Sequence, residues 1–304
     1  MASQQQPVIA VHHSETRRQC ARHALVLEAV GIDYGIRETA DGFTLVVSAG
    51  DALQARAELD AFALENRDRR TEGDPLSHRT GGWGGVVGYA AVLLLVCLLQ
   101  RQHALAADWM AAGSTQAGLI RQGQWWRAVT ALCLHIDLAH LMANLIIGGL
   151  VGLFAGQLLG SGLAWMTILI GGTTGNLLNA WIRQPEHTSV GASTAVFAAL
   201  GIVATYVWKR RGKIHASGFI RWAPVIAGVI LLSYLGTGGL RTDVGAHVAG
   251  FLSGALLGAL LGTPGGRFAS GAGAQWVLGL GALAILTLAW ALALSSPGPP
   301  SVGA

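Results

Sequence analysis

Seven stretches of the chain, near 84–100, 138–159, 161–182, 191–208, 220–236, 244–262 and 275–294, are apolar over the roughly 20 residues that a helix needs to cross a bilayer. A backbone in hydrocarbon must satisfy its own hydrogen bonds, so each stretch is expected to be a helix. Composition agrees: 52% of the 304 residues are hydrophobic, 12% are charged, and the mean hydropathy is +0.49. The 43 glycines suit helices that pack closely through small residues. Cys20, Cys97 and Cys133 have neither CxxC spacing nor an even count, so they read as packing residues, and neither metal nor cofactor is expected. No apolar segment precedes residue 84, so no cleavable signal is expected and the first 80 residues should stay on the side of synthesis.

Charge divides the chain in two. Twelve of the 16 acidic residues fall within residues 1–80; the others are Asp108, Asp137, Glu186 and Asp243. The acidic part reads as a small soluble domain. "PVIAVHHS" is a strand, Thr16 to Val30 a helix stopped by Gly31, and "GIRETADGFTLVVS" a hairpin turning at Asp41-Gly42. Asp51 then opens a second helix to about Asn66, giving βαββα. His12 and His13 lack companion ligands for a metal and read as surface residues.

The basic cluster "KRRGK" at 209–213 assigns the loop after the fourth span to the cytosol, which puts the N-terminal domain inside as well. Residues 101–137, with Trp109, Trp125 and Trp126, read as a lobe lying in the outer interface. Ser193 lies 16 residues from Lys209, about 24 Å at a helical rise of about 1.5 Å per residue. In a core about 30 Å thick, that is roughly 6 Å below the outer surface. The same arithmetic brings His247 and Asn144 to nearly the same level, with His140 one turn nearer the surface.

Taken singly these residues have ordinary explanations, a serine bonded back to its own helix or a histidine joining two helices. Together they offer a nucleophile, a base and two donors at one depth, and ionisable groups inside a membrane mark function. A serine hydroxyl needs an adjacent base to attack a carbonyl, which His247 can supply. His140 and Asn144, four apart, share one helix face from which both can reach an oxyanion. At a helix start, Ser193 also brings unspent backbone N–H groups, while Gly191 and Ala192 let a substrate chain come close.

The segments "GQWWRAVTALCLH", "HLMAN", "GAS" and "AHVAGFLSG", in this order and on these spans, resemble the rhomboid intramembrane serine proteases. The resemblance covers about residues 84–262. It implies an all-α polytopic membrane protein with a six-helix core, a Ser193–His247 dyad that works without a carboxylate, and an oxyanion site of His140, Asn144 and Ser193. Gly191 matches the glycine before the nucleophile, Phe197 an aromatic ring packed on the histidine, and His135 a structural histidine. Trp126, Arg127 and Gly250 match supporting positions. The chain is thus divided into 1–70, the βαββα domain; 71–83, a linker; 84–262, the six-helix core; 263–294, a loop and seventh helix; and 295–304, a disordered tail. The family usually has glycine after the nucleophile. This chain has Thr194, whose β-branched side chain is expected to crowd the substrate or alter the loop.

The implied activity is cleavage of single-pass transmembrane proteins near the outer face, with the lipid bilayer and transmembrane substrates as partners and no nucleic acid. A multi-pass protein of a bacterial plasma membrane, N-terminus cytosolic, is the expected setting. The alternative is an inactive rhomboid-like protein that escorts transmembrane helices, although such proteins normally lose the serine or the histidine. A proton-relaying transporter would call for intramembrane carboxylates, and Asp137, Glu186 and Asp243 fall at outer ends. No HExxH occurs for a metalloprotease. Asp243, four before His247, reads as the cap of the sixth helix rather than a third catalytic member. Gly250, Gly254 and Gly258 form a small-residue stripe expected to pack against the fourth helix.

Overall fold

The computed structural model describes residues 7–65, 82–211, 218–236, 242–263 and 271–296. Most of the expected linker, the end of the basic cluster and residues 297–304 of the expected tail lie outside the described residues, while Ser295, the first residue of that tail, is still helical. The chain separates into two units, Met1–Asp74 and Pro75–Ala304.

The first unit contains β1 (Val8–Ser14), α1 (Arg17–Ala29), β2 (Tyr34–Thr39), β3 (Gly42–Ser48) and α2 (Ala52–Glu65). The strands form an antiparallel sheet in the order β1-β3-β2. Thr16 caps α1 by accepting the Gln19 N–H, and Gly31 follows the helix at φ +73°. The hairpin turns on Ala40 and Asp41, since Thr39 already pairs with Gly42, one residue earlier than Asp41-Gly42. Gly42 is required there. Its φ is +140°, and a Cβ would lie 2.5 Å from the Ser14 carbonyl oxygen. Cys20, Ala24 and Leu27 of α1 meet Leu45 and Val47 of β3 and Ala55 and Leu59 of α2 in one core. Helical and alternate-residue periodicities thus converge on a shared apolar face. His12 Nε2 hydrogen-bonds with Ser14 Oγ and His13 Nδ1 with Thr44 Oγ1.

The second unit begins with α3 (Trp83–Arg101), followed by three short helices, α4 (Trp109–Gly113), α5 (Ala117–Arg121) and α6 (Arg127–Thr130). The long helices are α7 (Leu138–Leu159), α8 (Ser161–Ile182), α9 (Ser193–Arg211), α10 (Gly218–Gly236), α11 (Val244–Leu261) and α12 (Ala272–Ser295). A two-residue ladder pairs β4 (Thr115–Gln116) with β5 (Thr188–Ser189). By length and composition α3, α7, α11 and α12 can each cross a membrane. Two of the other expected spans are less apolar, for physical reasons. α8 buries Thr167, Asn176 and Asn179, and α9 ends in basic residues, while α10 carries the described apolar stretch Trp222–Tyr234. Helices enclosed by protein can carry polar side chains that lipid would penalise.

Glycine sets the closeness of packing at the centre. A Cβ at Gly250, Gly254 or Gly258 of α11 would lie 2.3, 2.0 or 2.3 Å from the carbonyl oxygens of Thr194, Ala198 and Ile202 of α9. These two helices therefore touch backbone to backbone, as small-residue stripes allow in membranes. At the other end of the bundle, Gly160 at φ +86° makes the corner between α7 and α8. Gln275 of α12 bridges that corner, donating to the Leu159 carbonyl and accepting from the Leu163 N–H.

A larger residue at position 250 would have to push α9 and α11 apart. Gly250→Val is expected to destabilise the protein by about 1–3 kcal/mol or more, the range for overpacking a well-filled core. Thermal unfolding in detergent checks this, with Gly273→Ala as control, because a Cβ at Gly273 meets nothing within 4 Å.

Candidate functional site

Ser193 is the first residue of α9 and His247 lies in the first turn of α11, so the glycine-lined contact of these helices brings both to one end of the bundle. Ser193 Oγ is 2.8 Å from His247 Nε2. A hydroxyl donating to Nε2 makes that nitrogen the acceptor, the arrangement in which the ring can take the serine proton. Phe197, one turn after Ser193, packs on the His247 ring with centroids 4.5 Å apart and planes tilted by 39°. That contact limits rotation of the imidazole.

The pair borders a cavity of about 1040 Å³ whose walls also include His140, Asn144 and Gly191. His140 and Asn144 come from the first two turns of α7, which Asp137 caps by accepting the His140 N–H at 2.7 Å. Asn144 Nδ2 donates to the His140 carbonyl at 3.0 Å, which occupies one of its two amide hydrogens. Among the described residues, no partner is found for the His140 ring nitrogens and no acceptor for the Ser193 N–H. Three polar groups thus border the cavity with donor capacity to spare.

Gly191 is required by both conformation and space. Its φ is +133°, and a Cβ would lie 2.7 Å from His140 Cε1. The loop that carries the serine is tied down at several points. The Gly191 N–H donates to the Ala131 carbonyl, and Thr115 Oγ1 bonds the Ser189 backbone. His135 Nε2 accepts the Ala192 N–H at 3.4 Å. His135 lies before α7, where burial, and then the neighbouring His140, push its pKa down to about 4. It is therefore neutral near pH 7 and able to accept.

Trp126, Arg127 and Gly250 stand apart from the cavity walls. Arg127, 2% exposed, donates to Gln124 Oε1 and to the carbonyls of Ala111 and Ser114, which gathers α4 to α6 into one body. Trp126 packs into the apolar core beside it. Thr194 borders the cavity next to Ser193. Its methyl fits between Gly175 of α8 and Gly250 of α11, within 3.0 Å of where either residue's Cβ would be. That methyl therefore sits at a helix junction made of glycine.

Asp243 caps α11 by accepting the Ala246 N–H. Its carboxylate also accepts from Asn179, Arg183 and His187, three residues the sequence reading left out. A signal was present, since Asn176, Asn179 and Arg183 recur at helical spacing in an otherwise apolar helix.

Residues 122–264 match the family described as Rhomboid domain. The chain is 33% identical over 147 residues to Rhomboid protease GluP of Bacillus subtilis, covering 48% of this chain and 28% of that protein. It is 30% identical over 169 residues to Rhomboid-like protease 3 of Toxoplasma gondii, covering 55% of this chain and 64% of that protein. With RHOMBOID-like protein 5 of Arabidopsis thaliana it shares 32% identity over 147 residues, 47% and 46% of the two chains. The chain thus spans less than two thirds of the length of each of these relatives. The domain match, together with four helices among the described residues apolar enough to cross a bilayer, makes this chain a multi-pass integral membrane protein with a rhomboid domain over residues 122–264.

Proposed function

We propose that the protein is an intramembrane serine endopeptidase that cuts single-pass transmembrane proteins near the outer membrane face, with Ser193 as nucleophile and His247 as its base. The observation that carries this reading is the 2.8 Å hydrogen bond from Ser193 Oγ to His247 Nε2 at the wall of a cavity with unspent donors. Relatives in Bacillus and Toxoplasma named as proteases add support.

Ser193 Oγ attacks the peptide carbonyl as His247 takes its proton. The Ser193 N–H, His140 and Asn144 donate to the oxyanion. On collapse, His247 returns the proton to the leaving amine, and water then hydrolyses the acyl-enzyme by the same path. Helices α3 and α7 to α11 form the six-helix core in this reading, with α12 as a seventh. Lys209 and Arg210 at the far end of α9 favour a cytosolic inner end and a cytosolic N-terminal unit, with the cavity toward the outer side. A substrate helix must unwind to offer a peptide bond at that depth, since an intact helix shields its carbonyls. An inactive helix-escorting role is disfavoured because serine and histidine are both present and hydrogen-bonded.

Incubating the purified protein in detergent with a model single-pass substrate is expected to yield a fragment that the Ser193→Ala protein does not produce. Identical fragments from both proteins would defeat the reading.

A further inference from the structure

The Asp243 carboxylate is held by more donors than a helix cap requires. Oδ2 accepts from Asn179 Nδ2 and from His187 Nε2, each at 2.7 Å. Oδ1 accepts from Arg183 Nη2 at 2.8 Å and from the Ala246 N–H at 3.2 Å. Asn179 and Arg183 stand one turn apart at the end of α8, His187 lies in the segment that runs on to Ser193, and Ala246 belongs to the first turn of α11. The carboxylate is mostly shielded, its side chain being 11% exposed. Burial alone would push its pKa up, but hydrogen bonds from His187, Arg183 and the Ala246 N–H hold it at about 2. It therefore stays ionised across any ordinary working pH.

We propose that Asp243 is a positioning residue for the Ser193–His247 pair, joining the loop that presents the serine to the helix turn that presents the histidine. The proposal rests on the protease reading above. Its physical basis is that Asp243 belongs to both halves at once. Its main-chain carbonyl accepts the His247 N–H at 3.2 Å, while its side chain grips His187, six residues before Ser193. His187 is itself fixed, because its carbonyl accepts the Ala117 N–H and its N–H donates to the Gln184 carbonyl. Movement of the serine loop relative to α11 must therefore break charge-assisted bonds, which are about twice as strong as neutral ones. Gly245 makes the approach possible, since a Cβ there would lie 2.7 Å from Asn179 Oδ1 and 2.9 Å from Arg183 Nη2.

Asn is as good a helix cap as Asp, which separates capping from positioning. In Asp243→Asn the Ala246 N–H keeps its acceptor, but the charge facing Arg183 is gone and an amide must face the donors of Asn179 and His187. The full-length purified protein is assayed for kcat and KM on the model substrate, for labelling of Ser193 by a fluorophosphonate, and for thermal unfolding. Asp243→Asn is expected to lower kcat and the labelling rate by about 10–100-fold, the scale of a misplacement near 1 Å, with KM within about twofold and the unfolding temperature nearly unchanged. Arg183→Gln should lower kcat in the same way, and the double variant should be no worse than the more impaired single, because both act through one network. Parent-like kcat in Asp243→Asn would reduce Asp243 to a cap and overturn the proposal, as would a loss explained wholly by a lower unfolding temperature. A parent protein that neither cleaves nor takes the probe at Ser193 would instead defeat the protease reading itself, and the positioning role with it.

Discussion

Cleavage by the Ser193→Ala protein is expected to fall by about 10⁶-fold, and His247→Ala should cost nearly as much, because a nucleophile and its base act as one unit. The two side chains share a single 2.8 Å hydrogen bond. Removing the hydroxyl leaves no atom to attack, and removing the imidazole leaves a hydroxyl that stays protonated near pH 7. The double variant should therefore be no slower than either single one. Folding should survive in Ser193→Ala, since the lost hydroxyl borders the cavity and the helix contact at Gly250 remains. Rates measured with purified proteins of matched unfolding temperature provide the check; substantial turnover by Ser193→Ala would end the dyad assignment.

The oxyanion donors should give the next largest effect. Asn144→Ala and His140→Ala are each expected to lower kcat by about 10²–10³-fold with little change in KM, because a donor aimed at developing charge matters most in the transition state. Asn144 keeps one amide hydrogen beyond its bond to the His140 carbonyl, and no hydrogen-bond partner is found among the described residues for the His140 ring nitrogens. The Ser193 N–H remains in both variants, so neither should reach the level of Ser193→Ala. Comparing kcat and KM separately tests this. A rise confined to KM would mean that these side chains bind substrate in its ground state, and parent rates in both would make the α7 face a packing surface only.

The proposed reacting residues were legible because hydrocarbon leaves few polar residues to choose from. Ser193, His247, His140 and Asn144 stood out by rarity, and counting helical rise from charged ends put three of them at a common depth. The glycine stripe at 250, 254 and 258 was equally readable, since a four-residue repeat defines one helix face whatever that face meets. The roles of Trp126 and Arg127 were less so. Their match to known motifs could not reveal that Arg127 spends its donors on the carbonyls of Ala111 and Ser114 rather than at the cavity.

Local pattern determined which stretches are helices, where Asp243 caps one of them, and which residues could do chemistry, because periodicity, capping and hydropathy act over a few neighbours along the chain. Only the tertiary structure decided what Thr194 and Asp243 meet. The Thr194 methyl finds its place beside Gly175 and Gly250, from two other helices. Asp243 looked like a cap until Asn179, Arg183 and His187 arrived from more than 50 positions away. Such contacts depend on how helices cross, and the crossing is set by close packing over whole faces, which no short window of sequence contains.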